Sequence, residues 1–199
     1  MSTTSINPVT RTCGVRYAGL TKQYIRSKIF SRLKTQKEED RDRKSRIVKQ
    51  KLFRKTVFKR AKTVMFYISF DGEVNTRDMI KEAYRLGKIV AVPVCENDRI
   101  TIRPCALKDN AKVQKGPYGV CEPAVKKYIK LEDLDLVVVP GVAFDKKGNR
   151  LGRGRGCYDH FLKKVPSRIP SIGLAFDFQI LPRIPATTTD VKIGEVLFA

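Results

Sequence analysis

The chain is poor in the residues that hold metals or staple small folds. It has one histidine, and its five cysteines (Cys13, Cys95, Cys105, Cys121, Cys157) form no Cys-x-x-Cys pair. With His160 as the one imidazole, a structural zinc site is not expected. An odd set of cysteines in a chain of this size, with no secretory signal, argues against a disulfide framework, so reduced thiols in the cytosol are the expectation. No apolar run approaches the ~20 residues of a membrane span, and "LDLVVVPGVAF" is broken by Pro140. Acids are missing from the first 37 residues, which also hold several Arg, Ser and Thr; this lends the segment a faint organelle-transit character beside the cytoplasmic default. Internal repeats and low-complexity linkers are absent.

What is present is the material of one folded domain. The 199 residues are 42% hydrophobic and 9% aromatic, enough for one sizeable core and too few for two ordinary domains. The formal net charge of +21 is unevenly spread: residues 1–62 carry 19 Lys and Arg against 4 Asp and Glu. Such a basic third suits an anionic partner such as nucleic acid or a membrane surface, or else is the solvated face of two helices.

Periodicity assigns the elements. Ile25, Ile29 and Leu33 recur every fourth residue among Lys and Arg, which predicts an amphipathic helix over 20–33. A second is expected over about 39–58, with Ile47, Val48, Leu52 and Phe53 inward. The period then changes. "TVMFYIS" (63–69) reads as a strand, 76–87 as a helix ending at Gly87, and "KIVAVP" (88–93) as the next strand. "RITIRP" (99–104) alternates like an exposed or antiparallel strand, and "LDLVVVP" (134–140) like a strand buried on both faces. A helix over 158–164 and strands at 171–176 and in "VKIGEVLF" complete the pattern. The result is an α/β fold: one domain, a three-layer sandwich around a mostly parallel, Rossmann-like sheet, with two N-terminal basic helices. Residues 1–18 are expected to form a flexible basic extension and 19–199 the α/β domain.

Between the central strand and the helix at 158 lies "GNRLGRGRG" (148–156), with four glycines and three arginines in nine residues. Glycine lets backbone N–H groups come close to a ligand, and arginine presents a planar fork of donors to phosphate or carboxylate. Its place beyond the carboxyl end of a strand is where open α/β sheets bind ligands. The spacing is neither G-x-G-x-x-G nor a P-loop. A phosphate cradle, a nucleic-acid contact and a plain flexible turn all remain open on residue types alone.

The run "PGVAFDKKGNRLGRGRGCYDHFL" resembles the signature of the 5-formyltetrahydrofolate cyclo-ligase family, the methenyltetrahydrofolate synthetases. "KQYIR" (22–26), "YISFDGEVNT", "GPYGVCEP" and "TTDVKIGEVL" are similar to further family segments in the same order, so the resemblance extends from Lys22 to Leu197. It implies an ATP- and Mg2+-dependent ring closure: the formyl oxygen of 5-formyltetrahydrofolate is phosphorylated, the 10-nitrogen attacks, and 5,10-methenyltetrahydrofolate, ADP and phosphate result. By the same resemblance, Lys22, Arg26, Arg150, Gly152, Arg153, Gly154, Arg155, Gly156 and Tyr158 bind ATP. Ile68, Glu73 and Cys157, with Arg153, Gly154, Arg155 and Gly156, hold the folate, and Asp159 and Asp190 hold Mg2+. Folate and ATP are thus the expected partners of a monomer. Plainer readings stand beside these. Asp159 suits a helix start, Glu73 a strand end, Lys22 and Arg26 a solvated i,i+4 face, and His160 a helix surface. Cys157 departs from the family, which has a tyrosine there. The competing expectation is a nucleic-acid-binding protein on the same fold, using the basic N-terminal third.

Overall fold

The structure, a computed structural model, describes residues 21–109, 112–116, 119 and 121–199. The extension expected over 1–18 lies outside the described residues. The helices are α1 (Lys22–Thr35), α2 (Glu38–Arg54), α3 (Thr56–Arg60), α4 (Arg77–Arg85) and α5 (Cys157–Lys164). The strands are β1 (Thr63–Met65), β2 (Ile89–Cys95), β3 (Ile102–Ala106), β4 (Val113–Lys115), β5 (Cys121–Pro123), β6 (Leu136–Val139), β7 (Ala143–Asp145), β8 (Arg150–Leu151), β9 (Ser171–Ala175), β10 (Ile180–Leu181) and β11 (Glu195–Phe198).

Six strands form the main sheet in the order β11-β9-β6-β1-β2-β3, parallel throughout except for the antiparallel edge pair of β2 and β3. Successive strand residues feed opposite faces, as a pleated strand dictates. Val64, Val90, Leu136 and Val138 join the core under α1 to α4, while Met65, Ala91, Val137 and Val139 join the core under α5. Both faces are covered, so the expected three-layer sandwich is what forms, and the uninterrupted apolar run of β6 is explained by its full burial.

The second helix differs from its expectation. The chain leaves the helix at Lys55 (φ −65°, ψ 134°) and restarts as α3. In one unbroken helix Phe58, six residues after Leu52, would point about 120° away from Leu52. The break turns Phe58 into the core, 1% exposed, against Phe53 at 4.2 Å between ring centroids. Ile47, placed inward from the sequence, is half-buried. The outer faces of these helices are basic, and several of their cations meet acids of other elements: Lys44 meets Asp177 at 2.8 Å, and Lys55 pairs with Glu195.

β1 is shorter than "TVMFYIS" suggests, because the chain peels off the sheet after Met65. The Tyr67 carbonyl accepts from the Thr76 hydroxyl (2.6 Å), and the Ser69 N–H donates to the same hydroxyl (3.0 Å). The Tyr67 carbonyl and the Ser69 N–H are thus satisfied by a side chain instead of a strand, which lets this segment line a cleft.

A candidate two-compartment active site

β1 has β2 on one side and β6 on the other, so the strand order reverses at the carboxyl ends of β1 and β6. This is the switch point where open α/β sheets bind ligands. Two adjoining pockets open there. The first is an apolar cleft whose walls include Tyr67, Ile68, Phe70, Glu73, Pro93, Cys95, Ile102, Pro140, Cys157 and Tyr158. The second is polar and cationic, walled by Lys22, Arg26, Gly154, His160, Lys163, Thr189 and Asp190. Arg150, Gly152, Arg155, Gly156 and Asp159 line both and form the seam.

The seam is held by a small second sheet. β7 pairs antiparallel with β8 and parallel with β10. The Asp145 carboxylate closes the β7–β8 turn by accepting from the N–H groups of Lys147, Asn149 and Ile184 and from the Asn149 amide (2.8–3.0 Å). Burial pushes this carboxyl up, but those four donors outweigh it and hold it below the usual range. Gly148 (φ 79°) completes the turn against the Ile193 carbonyl, 2.5 Å from where a Cβ would stand. The turn delivers Arg150, 5% exposed, to the seam, where it pairs with Asp159 at 2.9 Å. The other Asp159 oxygen accepts the Val191 N–H at 3.1 Å.

α1 supplies the far wall of the cationic pocket. Its buried stripe docks on the core, and its next face sends Arg26 Nε to the Gly152 carbonyl (2.9 Å) and Lys22 to Asp190 (2.5 Å). Burial raises Asp190, but Lys22 and Thr187 outweigh it and leave the carboxyl below its usual range. Gly156 (φ 73°, ψ 3°) precedes α5, and the helix's first N–H groups, which have no intrahelical partners, lie beside the glycine–arginine loop.

Glu73 lines the apolar cleft. Its side chain is 9% exposed and meets Arg153 at 3.1 Å; Arg153 also meets Asp71 at 3.2 Å and lies over the rings of Phe70 and Phe30. Burial is the larger influence and pushes the Glu73 carboxyl up to about 7, against the pull of Arg153.

All the residues singled out from the sequence therefore meet at one switch point, and they divide between its compartments. Ile68, Glu73, Arg153, Cys157 and Tyr158 face the apolar cleft; Lys22, Arg26, Gly154 and Asp190 face the cationic pocket. Tyr158, grouped with the nucleotide by resemblance, lines the cleft. His160 is exposed on α5, as expected, and borders the cationic pocket. Glu122, in the "CEP" segment, is a further site residue that the sequence does not single out. It is 3% exposed, lines the cleft, and accepts the Cys95 N–H at 2.9 Å. The signal was Gly116: a Cβ there would stand 2.5 Å from the Glu122 carboxyl carbon.

Among the described residues no three His, Cys, Asp or Glu side chains gather as a metal cluster. Asp159 and Asp190 nevertheless line one pocket with cations suited to phosphate. Two carboxylates, completed by phosphate oxygens and water, are the donor set that Mg2+ favours, so the residues fit that ion. No helix among them is long and apolar enough to cross a membrane.

Residues 18–199 match the model of the 5-formyltetrahydrofolate cyclo-ligase family. A 5-formyltetrahydrofolate cyclo-ligase of Mus musculus is 31% identical over 188 residues, covering 89% of this chain and 93% of its own. One of Haemophilus influenzae is 33% identical over 144 residues, covering 70% and 76%. Among solved structures, the 5,10-methenyltetrahydrofolate synthetase of Aquifex aeolicus superposes with a TM-score of 0.79 at 32% identity, covering 89% of both chains.

Proposed function

The chain belongs to the 5-formyltetrahydrofolate cyclo-ligase family, and on that premise we propose that it closes 5-formyltetrahydrofolate to 5,10-methenyltetrahydrofolate at the expense of ATP. The observation that carries this reading is the seam, where an apolar cleft lined by a buried carboxylate meets a cationic pocket across one glycine–arginine loop. A flat heterocycle and a polyphosphate can each lie in suitable surroundings, with the acceptor and the transferred group in contact at Arg150 and Gly156.

In this reading Glu73, held by Arg153, accepts hydrogen bonds from the amino and ring N–H groups of the pterin. Ile68 and Cys157 pack on the ring. Lys22, Arg26, Arg155 and the amides of the loop hold the phosphates, and Arg150 faces the charge that develops at the transferred group. Asp159 and Asp190 would hold Mg2+, which when bound neutralises phosphate charge. The formyl oxygen takes the γ-phosphoryl group as its bond to ADP breaks, the 10-nitrogen attacks the activated carbon and gives up its proton to solvent, and the C–O bond breaks to release phosphate. The test is conversion of 5-formyltetrahydrofolate to the methenyl form by purified protein, with ADP release; a folded protein giving no ATP-dependent product overturns the proposal.

Cys157 is half-buried on the cleft, with its thiol 3.6 Å from the Arg99 carbonyl. An aromatic face against a conjugated ligand is worth about 0.5–1.5 kcal/mol beyond its area. Cys157→Tyr is accordingly expected to lower KM for 5-formyltetrahydrofolate by several-fold to about tenfold, with KM for ATP nearly unchanged. A folded variant whose folate KM does not move removes position 157 from the substrate contacts.

A further inference from the structure

We propose that Tyr158 is a positioning residue for the substrate, its phenol hydroxyl donating a hydrogen bond to the formyl oxygen. The inference rests on the ligase reading above and assigns an atom to it. Four observations carry it. The Tyr158 hydroxyl is buried and has no hydrogen-bond partner among the described residues, an arrangement a folded protein tolerates at a cost to stability. The ring is fixed, edge-on to Phe161 at 6.2 Å and 5.7 Å from the Arg150 guanidinium carbon, which limits the hydroxyl's choice of partner. Nearby groups of the cleft are already engaged: the Tyr67 hydroxyl donates to the Val74 carbonyl (3.1 Å), and the Tyr67 carbonyl accepts from Thr76 (2.6 Å). Finally, Tyr158, like Cys157 before it, lines only the apolar compartment, while Asp159 next to it and Gly156 two residues before it line both.

These place a fixed, unspent donor on the folate side of the seam. The formyl oxygen is the folate atom that must reach the seam, since it receives the phosphoryl group there. A donor held in place orients this oxygen before transfer. When the C–O bond later breaks, its electron pair goes to the same oxygen, and a preorganised donor facing that growing charge is favourable. A phenol is protonated at neutral pH, so the hydroxyl is available as a donor.

Tyr158→Phe tests this, because it removes the hydroxyl and keeps the ring. If Tyr158 serves the ligand, the variant without ligand melts about 2–4 °C above the unsubstituted protein, since an unpaired buried group is gone. At the same time its affinity for 5-formyltetrahydrofolate, measured by direct binding, falls about three- to tenfold. Its kcat/KM falls further, on the order of a hundredfold, as for loss of one donor to a developing oxyanion. Affinity for tetrahydrofolate, which has no formyl oxygen, stays within twofold of the unsubstituted protein's. Unchanged binding of 5-formyltetrahydrofolate, or an equal loss for both folates, overturns the assignment. The binding comparison needs no turnover: if the unsubstituted protein binds 5-formyltetrahydrofolate but forms no methenyl product, the ligase reading fails while the contact is still measured.

Discussion

Replacing Arg150 with leucine is expected to lower both stability and activity more than any other single change in the site. Arg150 is 5% exposed, and its guanidinium lies 2.9 Å from Asp159. Removing one partner of a buried ion pair costs about 3–5 kcal/mol, because the other charge is left uncompensated. For a domain of this length that is a fall in Tm on the order of 10 °C. ATP-dependent turnover should fall about a thousandfold or more, as when an arginine facing transferred phosphoryl charge is lost. The double variant Arg150→Leu/Asp159→Leu separates the two effects. Replacing the whole pair by apolar groups relieves the unpaired charge, so most of the Tm returns while turnover does not. A single variant as stable as the starting protein would mean that Asp159 finds other solvation. A double variant that still turned over would remove both residues from the chemistry.

The second large effect is a pH dependence that belongs to Glu73. Its carboxyl is raised from an ordinary 4.5 to about 7 by burial. A raised carboxyl favours the folded state fully below its unfolded pKa, and that contribution is lost as pH climbs to about 7 and the buried group must ionise. Unfolding free energy should therefore fall between about pH 4.5 and 7, by on the order of 3 kcal/mol relative to Glu73→Gln, which has no such slope. Denaturant titrations of both proteins at matched pH give the difference directly. Parallel curves across the window would show that water or Arg153 satisfies the carboxylate in the folded state. Substrate binding should run the other way, strengthening as pH rises through about 7, because the ionised carboxylate is the acceptor that pterin N–H groups need.

What the sequence disclosed follows the range of the forces involved. Helix faces and buried strands are written in local period: Ile25, Ile29 and Leu33 lie four apart and all three are buried, and the aliphatic run at 136–139 is an interior strand. The three-layer architecture follows from that alternation. The break at Lys55 did not show, because it is decided by where Phe58 finds a pocket and not by any local breaker residue. The second sheet of β7, β8 and β10 was equally hidden, its strands two or three residues long and one of them far along the chain. In the site, the glycine–arginine loop was legible because its chemistry is contiguous. The partition into two compartments was not, since Tyr158 and Asp159 are adjacent in sequence yet differ in which pockets they line. Nor did spacing disclose that each expected Mg2+ carboxylate already faces a cation, Asp159 facing Arg150 and Asp190 facing Lys22.

That last pair joins residues 168 positions apart. The cationic pocket is thus walled by the first described helix and by a loop near the end of the chain, whereas the apolar cleft draws all its walls from residues 67–159. During synthesis, every residue of the cleft leaves the ribosome before Asp190 does. The residues that wall the cleft are therefore all made while the cationic pocket still lacks one side. On the proposed reading, phosphoryl transfer waits until α1 and the Asp190 loop have come together.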